Sequence, residues 1–117
     1  MPKETTYAGS ALAERMKNLK GWDEHEGAIR RIFATDGWPT TLMLVNMIGF
    51  YAEAADHHPD LAVSWGKVEV RLNSHSAGGI TDKDIELARV IEANALWRPT
   101  GGALTGTAKK WVFPETP

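Results

Sequence analysis

The chain has 117 residues, a length that fits one compact domain able to form a core without covalent staples. It contains no cysteine, which excludes disulfides, thiolate zinc sites, iron–sulfur clusters and a cysteine nucleophile together. A formal net charge of −2, with 43% hydrophobic and 24% charged residues, is ordinary for a soluble globule and supplies no basic face for a nucleic-acid partner.

The first segment, Met1 to Met16, carries Lys3, Glu4, Glu14 and Arg15 and no apolar run of signal-peptide length, so residence in the cytoplasm is expected. From Gly9 to Lys20, Leu12, Met16 and Leu19 follow one another at helical spacing, with Ser10 placed to cap the start. Two extended runs, Gly21 to Glu24 and Ala28 to Phe33, flank His25-Glu26-Gly27. The glycine there supplies the positive φ of a tight reversal, so a β-hairpin is predicted. Asp36-Gly37 breaks the second strand, and Pro39 suits the first turn of a helix. Its inner face is predicted to run Leu42, Val45, Ile48 or Gly49, Ala52 and Ala55. This helix must stop at His58, because Pro59 disfavours the helical conformation in the residue before it. The uncharged stretch from Gly37 to Ala52 is too short and too polar to span a bilayer, so no membrane partner is expected.

Leu61, Val63 and Trp65 alternate with Ala62 and Ser64, and Val68, Val70 and Leu72 with Glu69 and Arg71. These are two half-buried strands joined by a Gly66-Lys67 turn of type II′. A loop through Ala77-Gly78-Gly79 leads to Thr81-Asp82-Lys83-Asp84, a capping box with a shorter acid than usual. A third helix follows to about Ala95, its inner face Ile85, Ala88, Ile91 or Glu92, and Ala95. Residues 1–96 form the domain, and 97–117, interrupted by Pro99, Gly101, Gly102, Gly106 and Pro114, read as an irregular tail anchored by Trp97 and Trp111. The fold class is α+β in two layers. A four-stranded antiparallel sheet carries three helices on one face, in the order α-β-β-α-β-β-α.

The chemistry concentrates between Glu53 and Asp84. On a helix, Glu53 and His57 are four residues apart and face each other, with Asp56 beside them. His57 in a last helical turn meets free carbonyls that favour the imidazolium. His58, forced off the helix by Pro59, points elsewhere, and His75 follows the last strand ahead of Gly78-Gly79. Side-chain parity puts His75 opposite Val68 and Val70, so the chain must bend there or the pocket must lie at the sheet's rim. Three imidazoles at these positions suit proton transfer to and from a small heterocycle. A zinc site is disfavoured because adjacent His57 and His58 diverge by about 100° on a helix. Ser74 and Ser76 lack the Gly-x-Ser-x-Gly elbow of a serine nucleophile. His25, alone in its turn, reads as a surface residue.

Glu53-Ala54-Ala55-Asp56-His57-His58-Pro59-Asp60, Trp65, Ser74-His75-Ser76-Ala77-Gly78-Gly79-Ile80-Thr81 and Asp84 together resemble the signature of the pterin-4a-carbinolamine dehydratases. The resemblance runs in register from Gly21 to Glu92. It implies dehydration of 4a-hydroxytetrahydropterin to quinonoid dihydropterin in recycling the cofactor of aromatic amino acid hydroxylases. It also implies no metal and no bound cofactor, a homodimer or homotetramer, and an aromatic amino acid hydroxylase as pathway partner. By that resemblance His57, His58 and His75 are catalytic, and Glu53, Asp56, Trp65, Ser74 and Asp84 bind substrate. His58 and His75 take the acid/base duties, and Glu53 orients His57 for binding. The rival reading is a non-catalytic protein of the same fold, a dimerisation cofactor of transcription factors or a Rubisco assembly chaperone.

Overall fold

A computed structural model describes residues 4–108 and 111–114. In chain order the elements are α1 (Gly9–Arg15), β1 (Asp23–His25), β2 (Ala28–Thr35), α2 (Trp38–Ala55), β3 (Asp60–Ser64), β4 (Lys67–Leu72), α3 (Asp82–Ala95) and β5 (Val112–Phe113). The sheet is antiparallel throughout, with β1, β2, β4 and β3 side by side and β5 also paired to β2. It therefore has five strands, not four. β1 pairs with β2 over Ala28 to Arg30 and β5 over Ala34 and Thr35, so the two short strands share one edge of β2. The described part of the tail is thus not wholly irregular. Trp111 lies under the Arg98 guanidinium at 4.3 Å, whereas Trp97 is 63% exposed.

Register decides which side chains form the core. Ile29 faces Leu72, Arg31 faces Val70, and Phe33 faces Val68. Leu61 and Val63 of β3 join the same face through Val70 and Val68. Leu12 of α1, Leu44 and Ile48 of α2, and Ile85, Ala88 and Ile91 of α3 close over it in one cluster. Fully burying a side chain the size of Phe33 or Ile48 contributes roughly 1.5–3 kcal/mol, and both have no exposed surface. The other sheet face carries Arg30, Glu69 and Arg71, half-buried and polar.

One charge lies on the core face. Arg31 is buried, and Glu92 of α3 receives its Nε and Nη2 protons at 2.9 and 3.1 Å. The Trp22 indole donates to the same Glu92 at 2.7 Å, and Arg31 Nη1 donates to the Pro114 carbonyl at 2.9 Å. A planar guanidinium satisfied bidentately tolerates such a site where an ammonium would not. Glu92 is therefore on the inner face of α3 as an ion-pair partner, beside Ile91.

Several local expectations shift. α1 stops at Arg15, and Ala8, not Ser10, stands at its cap. Leu19 is still buried, because single turns from Met16 to Leu19 and from Leu19 to Trp22 fold it inward. The buried residues of α2 are Thr40, Thr41, Leu44, Ile48 and Ala52, so the predicted stripe holds at Ile48 and Ala52, while Val45 is half-buried and Leu42 and Ala55 are exposed. α2 carries apolar residues on its outer side as well, including Met43 and Phe50, so periodicity alone did not locate the whole face. Gly27, with φ 78°, and Glu26, with φ 52°, form the first hairpin turn as expected for a two-residue reversal. The second hairpin turns at Trp65-Gly66, since Ser64 pairs with Lys67. Neither turn residue has positive φ, so the turn is not type II′.

Candidate active site

α2 delivers the first two histidines by ending early. Asp56 adopts the left-handed conformation (φ 54°, ψ 41°), and the His57 amide returns to the Ala52 carbonyl at 3.1 Å. This is the hydrogen-bond pattern of a left-handed helix stop, which Asp accepts better than most residues. Pro59 still explains the geometry. It requires His58 to be extended, so the helix must already be over by then. His57 is thus outside the helix, and the predicted Glu53–His57 pairing does not form. Glu53 meets the next histidine instead, and His57 finds another acid. His58 Nε2 lies 2.8 Å from Glu53 Oε1, and His57 Nε2 lies 2.6 Å from Asp84 Oδ1.

Asp84 is completely buried and does two jobs with its two oxygens. Oδ2 accepts the Thr81 amide at 2.9 Å and the Ser74 hydroxyl at 2.8 Å, while Oδ1 takes His57. The capping box forms as read from sequence, with the Thr81 hydroxyl accepting the Lys83 amide at 3.2 Å. A buried carboxylate needs this many donors to offset its lost hydration. Ser74, largely buried in the wall of the cleft, bonds to Asp84 and Thr81. In the absence of substrate its hydroxyl is committed to the carboxylate and to Thr81.

His75 arrives by a bend. β4 ends at Leu72, and a 3-10 turn over His75–Ala77 is closed by Gly78 in the left-handed conformation (φ 76°). The Ser74 amide pairs with the Gly79 carbonyl at 2.8 Å. The parity conflict is resolved because the chain leaves the strand before His75 and the pocket lies at the sheet's rim. His57, His58 and His75 line one cleft of about 250 Å³ together with Asp56, Asn73, Ser74, Ser76, Lys83 and Glu4.

Electrostatically the cleft is mixed. Two imidazoles have Nε2 turned to carboxylates, which places a proton on that nitrogen and leaves Nδ1 as the second acid/base atom. Lys83 Nζ is 2.7 Å from Glu4 Oε1. That hydrogen bond, aided by the Glu4 charge, raises the Lys83 pKa above its ordinary value.

Of the residues anticipated for the site, His57, His58, His75, Asp56 and Ser74 line the cleft, and Glu53 and Asp84 reach it through His58 and His57. Trp65 does not join them. It sits in the turn at the far end of β3, 68% exposed, with its ring against Gly37 and its carbonyl receiving the Thr41 hydroxyl at 2.9 Å. A Cβ at Gly37 would lie 3.3 Å from the indole, and φ there is +148°. The expectation failed because strand β3 carries Trp65 away from the histidines that precede its first residue. Lys83, Asn73 and Glu4 were missed. Lys83 had a signal in its place beside Asp84, which was read only as part of a helix start.

The sequence pattern of the family described as pterin 4 alpha carbinolamine dehydratase matches residues 5–94. The chain belongs to that family. A relative from Aquifex aeolicus (strain VF5), named "Putative pterin-4-alpha-carbinolamine dehydratase", is 49% identical over 81 residues, 69% of this chain and 82% of that protein. A relative of the same name from Roseiflexus sp. (strain RS-1) is 39% identical over 88 residues, covering 75% and 95%. Among solved structures, the transcriptional coactivator/pterin dehydratase from Brucella melitensis superposes with a TM-score of 0.72 at 32% identity, covering 76% of this chain and 97% of that one. The family match ends at residue 94, so the tail bearing Arg98, Trp111 and β5 lies beyond it.

Proposed function

We propose that the protein is a pterin-4a-carbinolamine dehydratase, a hydro-lyase that converts 4a-hydroxytetrahydropterin to quinonoid dihydropterin and water. The observation that carries this reading is the meeting of His57, His58 and His75 in one cleft, two of them keyed to separate carboxylates. The reaction needs a proton delivered to the 4a-hydroxyl as the C4a–O bond breaks. It also needs a ring N–H proton accepted as the new double bond forms. His58 and His75, both exposed to the cleft, serve these two transfers. Glu53 orients the His58 ring through its contact with Nε2, and Asp84 holds the His57 ring for substrate binding. The residues supply all the acid/base groups, so the reaction is written without metal or cofactor. A homo-oligomer acting in the cytoplasm beside an aromatic amino acid hydroxylase completes the proposal; among the described residues no helix is long and apolar enough to cross a membrane.

The test is dehydration of synthetic 4a-hydroxytetrahydropterin by the native protein and by His58→Ala. A catalysed rate that falls by roughly 10²–10⁴ in the variant supports the reading. A native rate no faster than buffer overturns it and favours the second reading, a binding protein of the dehydratase fold such as a transcriptional dimerisation cofactor or a Rubisco assembly chaperone. That second reading draws on the Brucella melitensis neighbour, whose name pairs coactivator with dehydratase.

A further inference from the structure

Behind the histidine cleft, α2 and α3 leave a larger groove of about 530 Å³ between them. Tyr51 and Ala54 of α2 and Leu87 and Val90 of α3 form its apolar walls. Asp56, His57 and Lys83 belong to both the groove and the cleft, so the two are lobes of one depression with His57 at the waist. The lobes differ in chemistry. The smaller is walled by imidazoles, serines and an asparagine, the larger mainly by carbon.

We infer that the apolar lobe is a subsite for an aryl-bearing substituent at C6 of the pterin, which makes the protein selective among reduced pterins. The inference rests on the dehydratase reading. In a pterin the reacting C4a is bonded to N5, and N5 to C6. The pyrimidine edge is crowded with hydrogen-bonding atoms, whereas the C6 substituent is where carbon accumulates. With C4a held at the imidazoles, a C6 substituent departs from beside the reacting centre, and of the hollows that adjoin the cleft the lobe that shares His57 is the one with apolar walls. Tyr51 offers an aromatic ring and Val90 an aliphatic surface, 39% exposed, that an aryl group would cover.

The experiment compares the 4a-hydroxy adducts of 6-methyltetrahydropterin and 6-(anilinomethyl)tetrahydropterin. Native protein is expected to favour the aryl substrate in kcat/KM by at least about tenfold. Ala54→Trp fills the lobe at an exposed helix position and Val90→Glu charges it; each brings the ratio close to one. A native ratio near one, or a ratio unchanged in both variants, overturns the subsite. If neither substrate outpaces buffer, the dehydratase reading fails, and fluorescence titration with the unreactive 7,8-dihydro forms decides the subsite alone. Tighter aryl binding that both variants abolish upholds it, and equal affinities overturn it. A native dimer that both variants convert to monomer in sedimentation would show that a second copy fills the groove, which also overturns it.

Discussion

His57, just past the end of α2, and Asp84, in the first turn of α3, are 27 residues apart and meet at 2.6 Å with the carboxylate fully buried. Since the other oxygen of Asp84 closes the capping box of α3, the orientation of a site imidazole is mechanically tied to the start of a helix. Asp84→Asn keeps the shape but loses the charge and one acceptor. It is expected to lower stability by about 2 kcal/mol, as for a hydrogen bond to a charged group. Activity should fall with it, because the amide no longer dictates which His57 nitrogen is protonated. Urea denaturation and kcat/KM measured on the same preparation check both.

Ser74→Ala separates the two roles of that network. It removes the hydroxyl between Asp84 and Thr81 without touching an imidazole. The expected cost is about 1–2 kcal/mol in denaturation, with a smaller loss of activity than Asp84→Asn. A full loss of activity at native stability would instead assign Ser74 to the substrate.

Glu53→Gln tests the exposed pair. Glu53 and His58 are 83% and 56% exposed at the side chain, so stability should change by less than about 1 kcal/mol. The effect belongs in kcat, through the orientation of the His58 ring. Thermal melts beside steady-state kinetics separate the two.

Among the described residues, Arg31→Met leaves Glu92 with only the Trp22 indole in a partly buried place and releases the Pro114 carbonyl. Removing one partner of a buried pair costs about 3–5 kcal/mol. Arg31→Met combined with Glu92→Leu should recover much of that loss, and equilibrium unfolding of both variants reads it.

The Lys83–Glu4 pair gives a pH prediction with a definite sign. Glu4 raises the Lys83 pKa above 10.5, so the folded state holds the proton more firmly than the unfolded chain. The pair's contribution is complete below the unfolded lysine's pKa and is lost as pH rises through the folded value. NMR titration of the Lys83 side chain should give a midpoint above 10.5, returning to the ordinary range in Glu4→Gln.

Much of this was legible in the chain itself. Alternation in Val68, Val70 and Leu72, the glycine of the first hairpin, the Thr81–Asp84 box and the stop before Pro59 each depend on neighbours a few residues away, and local sterics decide them. The three histidines were likewise recognisable from their spacing with Glu53, Pro59 and Asp84. Tertiary structure alone decided which acid each imidazole meets. A left-handed Asp56 turned His57 toward a helix beginning 25 residues later, and no local periodicity contains that contact. The same holds for Trp65, carried off by the length of β3, for Arg31, whose burial depends on Glu92, and for β5, which pairs with a strand nearly 80 residues earlier. Side-chain partners across the fold are set by how the layers pack, and packing is a property of the assembled chain.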